Sequence, residues 1–227
     1  MSIPSPLTLI GATGSPYTRK MVALLRYRRI PYSIIWGDPS KVLDEMGIEK
    51  PTPSLLPTFL IPNENNELEA ATDSTPIIRR LEKEISNRSV IPSDPALSYI
   101  NYLLEDFGDE WCTKYMFHYR WHRKLDADNA KGLLPFGTML NLPSEQWKQM
   151  KEFIGKRQID RLWVVGSNKI TAPIIEASYE RLLEILEKHF EIMPFLLGHR
   201  PSSADFAIYG QLSQLIGFDP TPRSISH

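Results

Sequence analysis

The sequence predicts a chain of two parts, an α/β domain followed by an all-α helical bundle. Short apolar runs alternate with helical patterns over residues 1–86, whereas from residue 95 onward apolar residues recur almost only at helical spacing. The length of 227 residues lies between the usual sizes of one and two domains. We therefore expect residues 1–86 and 95–227 to form two domains, joined by a polar linker near residues 87–94.

The first domain is predicted to begin with a β-α-β unit. LTLI (Leu7 to Ile10) is a short apolar run typical of a buried strand, and PYSIIW (Pro31 to Trp36) is a second one. The segment between them has apolar residues on one helical face, namely Tyr17, Met21, Leu24 and Leu25. The two strands should therefore be parallel, with a right-handed crossover. The Pro-rich segment 37–54 has no clear pattern and is interpreted as an irregular connection.

A β-hairpin and a helix are predicted next. Thr58 to Ile61 form an apolar run, NENN is a polar turn, and Glu67 to Ala70 supply the antiparallel partner. Asp73, Ser74 and Thr75 stand just before Pro76, where a helix start needs capping side chains. This helix places four apolar residues together, Ile77, Ile78, Leu81 and Ile85. The order is β-α-β-β-β-α, with a mixed four-stranded sheet.

The second domain is predicted to contain helices almost alone. Apolar residues recur at helical spacing in two clear segments, one with Leu97, Ile100, Leu104, Phe107 and Trp111 and the other with Tyr179, Leu182, Leu183, Leu186 and Phe190. LWVV (Leu162 to Val165) is rich in β-branched residues, but its helical surroundings favour a buried helix over a strand.

Composition and charge exclude several classes of function. Hydrophobic residues make up 42% of the chain and charged residues 23%, which is typical of a soluble globular protein. A net charge of -1 provides no field that would attract nucleic acid or anionic lipid. The basic run RYRR (Arg26, Arg28 and Arg29) is therefore interpreted as the solvated face of a helix. We expect neither nucleic acid nor a membrane as a partner.

Cysteine usage and the N-terminus indicate a cytoplasmic protein. Cys112 is the single cysteine, so an intramolecular disulfide and a CxxC pair are both excluded. No basic residue precedes Arg19, and the N-terminal apolar run is too short for a signal peptide or a membrane span.

Four motifs in order resemble a known family. They are SPYTRK at the first helix start, LLPTFLIP before the hairpin, TDSTPIIRRLE at the next helix start, and GHRPSSADFAIYG in the second domain. With this spacing, nearly the whole chain resembles the cytosolic glutathione transferases, of the serine type and bacterial-like. The resemblance implies a thioredoxin-like first domain, glutathione as co-substrate with no tightly bound cofactor, a small apolar electrophile, a role in detoxification, and a homodimer.

Two other function classes stay open beside the transferase. The first is a catalytically silent binding or chaperone-like protein with the same fold. The second is a glutathione-dependent lyase, isomerase, peroxidase or reductase, although thiol exchange is disfavoured because position 15 is not Cys.

Ser15 is the candidate catalytic residue. It precedes Pro16 at a helix start, where free backbone N–H groups and the positive end of the helix dipole favour an anion. A thiol of reference pKa about 8.5 is mostly protonated at neutral pH, so a hydroxyl donor that stabilises the thiolate would raise reactivity. The alternative is that Ser15 only caps the helix. Tyr17 and Thr13 are competing hydroxyls, and Tyr17 is also a candidate glutathione contact.

Further glutathione contacts follow from the resemblance. Leu56 and Pro57 resemble the family's apolar residue and cis-proline, whose exposed backbone pairs with the extended tripeptide. The alternative is an ordinary trans-proline that opens an edge strand.

Asp73 and Ser74 resemble the pair that holds the γ-glutamyl group, although Asp-Ser-Thr is also simply good capping sequence. The family often has a basic residue two positions before the proline, and Leu55 stands there instead. Lys50 or Lys41 could meet the glycine carboxylate in its place.

Two further patterns lie in the second domain. Ser202 and Asp205 have the spacing of a capping box and are interpreted as structural. The face formed by Trp111, Tyr115, His118 and His122 could line the cleft for the second substrate, although an aromatic face is more often core. His118 and His122 also have the spacing of a metal pair, but no third ligand is visible, so no metal site is expected.

Overall fold

The computed structural model describes residues 3–137 and 139–226. The first residue of the predicted first domain, Met1, and the last residue of the predicted second domain, His227, lie outside these ranges. The elements of the first part are β1 (Leu7–Gly11), α1 (Pro16–Arg28), β2 (Tyr32–Trp36), α2 (Pro39–Met46), β3 (Thr58–Pro62), β4 (Leu68–Ala71) and α3 (Ser74–Glu84). The second part contains α4 (Pro95–Asp106), a π-helical turn (Phe107–Trp111), α5 (Cys112–His122), α6 (Lys124–Leu133), a 3-10 turn (Leu134–Gly137), α7 (Ser144–Ile159), a second 3-10 turn (Leu162–Val165), α8 (Ala172–Phe190), α9 (Ser203–Gly217) and α10 (Pro220–Ile225). No helix within the described ranges is long and apolar enough to span a bilayer.

The sheet is mixed and four-stranded, with the order β2-β1-β3-β4. β1 and β2 are parallel, while β1 with β3 and β3 with β4 are antiparallel. Asn63 closes the β3–β4 turn, because its side-chain oxygen accepts from the N–H groups of Asn65 and Glu67 at 2.9 and 3.0 Å. The predicted α/β thioredoxin-like domain followed by helices is therefore confirmed.

Helix α2 lies inside the segment 37–54 that was expected to be irregular. Asp38 caps it by accepting from the N–H of Lys41 at 3.2 Å, and Gly47 ends it with φ of 66°. The interpretation as an irregular connection was therefore wrong for residues 39–46. Pro39 occupies the first turn, where proline is compatible with a helix.

Two other sequence interpretations need correction. LWVV forms a 3-10 turn and not a buried helix, and Trp163 within it is 75% exposed. Arg28 is not on a solvated face, because it is buried and donates to the carbonyl oxygens of Ile85 and Asn87. It also pairs with Glu82 at 2.9 Å, which compensates the buried charge.

Helix α9 joins the two parts of the chain. Its Phe206 belongs to the apolar core formed by the sheet, α1 and α3, while its Ile208 belongs to the core of α5 and α8. Gly210 allows the close approach of α9 to α1, because a Cβ atom there would lie 2.6 Å from the carbonyl oxygen of Pro16. The position of α9 therefore fixes the start of α1.

Helix α9 begins with the predicted capping box. The Asp205 carboxylate accepts from the backbone N–H of Ser202 at 2.8 Å and of Leu196 at 2.9 Å. The Ser202 hydroxyl also donates to this carboxylate at 2.8 Å. Asp205 therefore satisfies three donors at the helix start.

Replacing Asp205 with alanine is expected to lower the free energy of unfolding by about 1–3 kcal/mol, since it leaves capping donors without an acceptor. Urea denaturation measures this free energy. An unchanged midpoint would contradict a stabilising role for the box.

Candidate functional site

A cavity of about 400 Å³ lies between the start of α3 and the side of α4. Four of the predicted site residues line it, namely Tyr17, Leu56, Asp73 and Ser74. Leu55 and Thr75 also line it, although the sequence analysis named them only as a departure from the family pattern and as capping sequence. The sequence did not single out the remaining lining residues, which are Tyr102, Glu105, Asp106, Asp109 and Glu110. The cavity thus combines residues from both parts of the chain.

Strand pairing brings two loops to the same edge of the sheet beside this cavity. Ile10 near the end of β1 pairs with Thr58 at the start of β3. Ser15 follows β1 and Leu56 precedes β3, so both residues lie at this edge. The Leu56–Pro57 peptide bond is cis. Ser15 itself is half-buried and is not among the residues that line the cavity.

Ser15 is the N-cap of α1. Its Oγ accepts from the N–H of Thr18 at 3.2 Å, and Pro16 occupies the first helical turn. In this bond the hydroxyl is the acceptor, so its own proton remains available for a second group. The residue can therefore cap α1 and donate a hydrogen bond at the same time.

The start of α3 presents a negatively charged carboxylate, from Asp73, next to hydrogen-bond donors at Ser74. Asp73 is exposed and caps the helix by accepting from the N–H of Thr75 at 3.1 Å. Ser74 is buried at the first position of the helix, where N–H groups and the helix dipole favour an anion. A zwitterion could therefore place its carboxylate near Ser74 and its ammonium group near Asp73.

A buried lysine forms a hydrogen bond with Ser74 from the protein interior. Lys20 is completely buried, and its Nζ donates to Ser74 Oγ at 2.9 Å. The same ammonium group pairs with Glu105 at 3.2 Å and with Asp109 at 2.6 Å. Because Ser74 Oγ accepts from Lys20, the Ser74 proton is free to donate to a ligand.

The pKa values of the two carboxyl groups around Lys20 are shifted in opposite directions. Burial raises the pKa of Asp109 to about 6 although Lys20 opposes this, and one of its oxygens has no hydrogen-bond partner. Burial also acts on Glu105, but the charge of Lys20, a hydrogen bond from Ser203 and the charge of Arg79 outweigh it, so the pKa of Glu105 is lowered. Asp109 therefore takes up a proton at a higher pH than Glu105 does.

The Tyr17 hydroxyl is already hydrogen-bonded to the helical second part of the chain. Its hydroxyl donates to the carbonyl oxygen of Asp109 at 2.7 Å. Burial raises the pKa of Tyr17 to about 12, so its phenol stays protonated at neutral pH. Thr13 is exposed, and its carbonyl oxygen accepts from Arg19 and Gln214. The Tyr17 hydroxyl proton is therefore already donated, and Thr13 does not line the cavity.

The aromatic face proposed for the second substrate lies elsewhere. Tyr115 and His118 are buried, and Trp111 is 56% exposed; none of them lines the cavity. His118 bonds Ser167 at 2.8 Å and stacks on His122 at 4.6 Å. Tyr102 and Tyr17 are the aromatic residues that line the cavity instead.

The lysines considered for the glycine carboxylate are paired with other residues. Lys41 lies 4.0 Å from Glu45, and Lys50 pairs with Asp44 at 2.7 Å. Neither lysine lines the cavity.

The sheet, the loops at its edge and the helical second part define a protein of the thioredoxin-like class with a helical domain. Residues 9–89 match the family model described as glutathione S-transferase, N-terminal domain. This first part of the chain is therefore similar to the N-terminal domain of glutathione S-transferases.

Solved structures of low identity share the fold over both parts. The Tau class glutathione S-transferase from mango, Mangifera indica, is 18% identical, with a TM-score of 0.51 over 98% of this chain and 79% of that one. A glutathione transferase family member from Pseudomonas fluorescens, with two glutathione molecules bound, is 16% identical, with a TM-score of 0.59 over 99% and 83%. FzlA from C. crescentus is 17% identical, with a TM-score of 0.56 over 97% and 86%. No curated protein sequence matches the chain.

Proposed function

We propose that this protein is a glutathione transferase that activates the glutathione thiolate for attack on a small apolar electrophile. The observation that carries the proposal is the position of Asp73 and Ser74, which line one cavity together with Leu56. Ser15 lies at the same sheet edge as Leu56. The Pseudomonas fluorescens relative, solved with glutathione bound, supports glutathione as the ligand.

The γ-glutamyl group binds at the start of α3 in this proposal. Its carboxylate accepts from the Ser74 hydroxyl and from backbone N–H groups, and its ammonium group pairs with Asp73. The positive charge of Lys20 behind Ser74 favours this carboxylate. The cysteine main chain pairs with the backbone of Leu56, as an added short strand.

Ser15 acts on the thiol. Its free hydroxyl proton donates to the thiolate sulfur, and the N-terminus of α1 adds a favourable dipole. Both effects lower the thiol pKa, so more of the bound ligand is nucleophilic at neutral pH. The thiol proton leaves to solvent, the sulfur forms a bond to the electrophilic carbon, and the displaced group leaves with the bonding electron pair.

Glutathione binding tests this function directly. Calorimetry of the full chain with glutathione is expected to give a dissociation constant in or below the millimolar range, and ultraviolet absorbance should show the bound thiolate near neutral pH. Absence of binding at millimolar glutathione would overturn the transferase function in favour of a silent binding protein. Binding without a thiolate signal would remove the catalytic role of Ser15.

We also propose a cytoplasmic homodimer. Cys112, the single cysteine, is buried and free, which fits a reducing compartment. Helix α4 exposes a set of large apolar side chains, Leu97, Tyr99, Ile100, Tyr102 and Leu103. Exposed apolar surface of this kind is typical of a protein interface, and we assign it to a second copy of the chain.

Replacing Tyr99 with glutamate is expected to shift the dimer toward the monomer, because a charge would enter the apolar interface. Sedimentation velocity of both proteins over a range of concentrations measures the effect. Leu140→Glu is a matched control, since Leu140 is 83% exposed and is not part of α4. A wild-type monomer at all concentrations would contradict the dimer.

A further inference from the structure

A second groove adjoins the glutathione cavity on the side of α2 and α7. It has a volume of about 520 Å³, and Leu55 and Leu56 line both it and the cavity. Its other lining residues are Asp38, Pro39, Ser40, Ser54, Phe153, Ile154, Arg157 and Gln158. The loop 54–56 is therefore the shared wall between the two spaces.

The direction of a bound tripeptide leads from the cavity into this groove. This step rests on the proposed function, in which the γ-glutamyl end lies at Ser74 and the cysteine main chain pairs with Leu56. An extended tripeptide spans roughly 10 Å. Its third residue must therefore pass Leu56 on the side away from Ser74, which is the side of the groove.

Arg157 is the cation that lines this groove. Within residues 3–137 and 139–226 its guanidinium has no carboxylate within ion-pair distance and no hydrogen-bond partner, whereas Lys41 and Lys50 are both paired. Asp38 is the acidic residue in the same groove, and its carboxylate accepts from the N–H of Lys41 as a helix cap. Gln158 lies beside Arg157, and its amide oxygen is buried without a partner.

We propose that Arg157, from α7 of the helical domain, binds the glycine carboxylate of glutathione in place of the basic residue missing at Leu55. The guanidinium can donate two parallel hydrogen bonds to a carboxylate. Glutathione would then be held by both parts of the chain, with its amino end on the first and its glycine end on the second.

A comparison of two ligands and three proteins tests this assignment. The ligands are glutathione and glutathione amide, whose glycine carboxylate is a neutral carboxamide of the same size. The proteins are the wild type, Arg157→Met, and the control Arg161→Met, which removes an exposed arginine outside the groove. Calorimetry gives the six dissociation constants, and thermal melting confirms that each variant is folded.

Wild type is expected to bind glutathione about tenfold more tightly than the amide, as a partly exposed charge-assisted hydrogen bond would give. Arg157→Met should weaken glutathione binding by about the same factor and leave amide binding unchanged, so that its preference disappears. Arg161→Met should behave as wild type.

An equal loss for both ligands, or a preference that survives in Arg157→Met, would overturn the role of Arg157 while the glutathione site stands. Absence of wild-type binding to either ligand would instead overturn the proposed function, and the role of Arg157 with it.

Discussion

Replacing Ser15 with alanine is expected to lower kcat for conjugation of glutathione with an aryl halide by about 10²- to 10³-fold, the usual effect of removing one donor to a developing anion. The affinity for glutathione should change much less, because the γ-glutamyl contacts that we propose at Asp73 and Ser74 remain. The pKa of the bound thiol, followed by its ultraviolet absorbance against pH, should rise toward that of free glutathione. Steady-state kinetics and this titration together check the result.

The loss of a helix cap must be separated from the loss of a donor. Ser15→Ala removes the cap of α1 and should cost about 1 kcal/mol of stability. Asp94→Ala removes the corresponding cap of α4, which accepts from the N–H of Leu97, and Asp94 lines neither the cavity nor the groove. If Asp94→Ala shifts the thiol pKa as much as Ser15→Ala does, the shift comes from the loss of a helix cap and not from the loss of the Ser15 donor.

Replacing Lys20 with methionine is expected to lower the free energy of unfolding by about 3–5 kcal/mol, because it leaves buried carboxylates without their cation. Glu105 keeps Arg79 as a partner at 2.8 Å, so Asp109 is the group left unpaired. The double variant Lys20→Met with Asp109→Asn should therefore recover much of the loss. Urea denaturation of both variants measures this, and a double variant no more stable than the single one would contradict the pairing.

The destabilisation of Lys20→Met should depend on pH in a defined direction. In the wild type, burial already raises the pKa of Asp109 from 3.8 to about 6. A carboxyl whose pKa is raised on folding contributes stability at low pH and loses it as pH rises through the folded pKa. Removing the ammonium group of Lys20 raises this pKa further. The deficit should therefore be largest above pH 7 and shrink toward pH 5, and an opposite trend would contradict the role of Asp109.

Local patterns were enough to predict the sheet and the first helix. Leu7 to Ile10 and Thr58 to Ile61 are apolar runs bounded by turn residues, and they form β1 and β3. Helix α2 was missed because its proline and short length hid the cap at Asp38 and the stop at Gly47.

The contact between the buried Lys20 and Ser74 could not be predicted from local sequence patterns. Lys20 meets Glu105 and Asp109, which are 85 and 89 residues away in sequence. One signal was present, because Lys20 lies three residues after Tyr17 and four before Leu24, on the apolar face of α1. A cation on such a face must find a carboxylate elsewhere. The partner helix could not be named without the tertiary structure.

The position of the aromatic face relative to the cavity could not be predicted from residue spacing. Spacing placed Trp111, Tyr115 and His118 together on a helix, but spacing does not tell which side of a helix meets solvent. The π-helical turn at Phe107–Trp111 lies between α4 and α5 and changes the register of the face that follows it. Tyr115 packs near Tyr179 in the helical core, and α4 supplies Tyr102 to the cavity.

Helix α9 contributes side chains to both apolar cores, and this affects the cooperativity of folding. Phe206 completes the core of the first part, and Gly210 lets α9 lie against the beginning of α1. A fragment that ends near residue 89 would expose the apolar surface that Phe206 covers and leave Lys20 without Glu105 and Asp109. The segment that carries the family match is therefore not expected to be an autonomous folding unit. Loosening of α9 would spread directly to the helix that Ser15 caps.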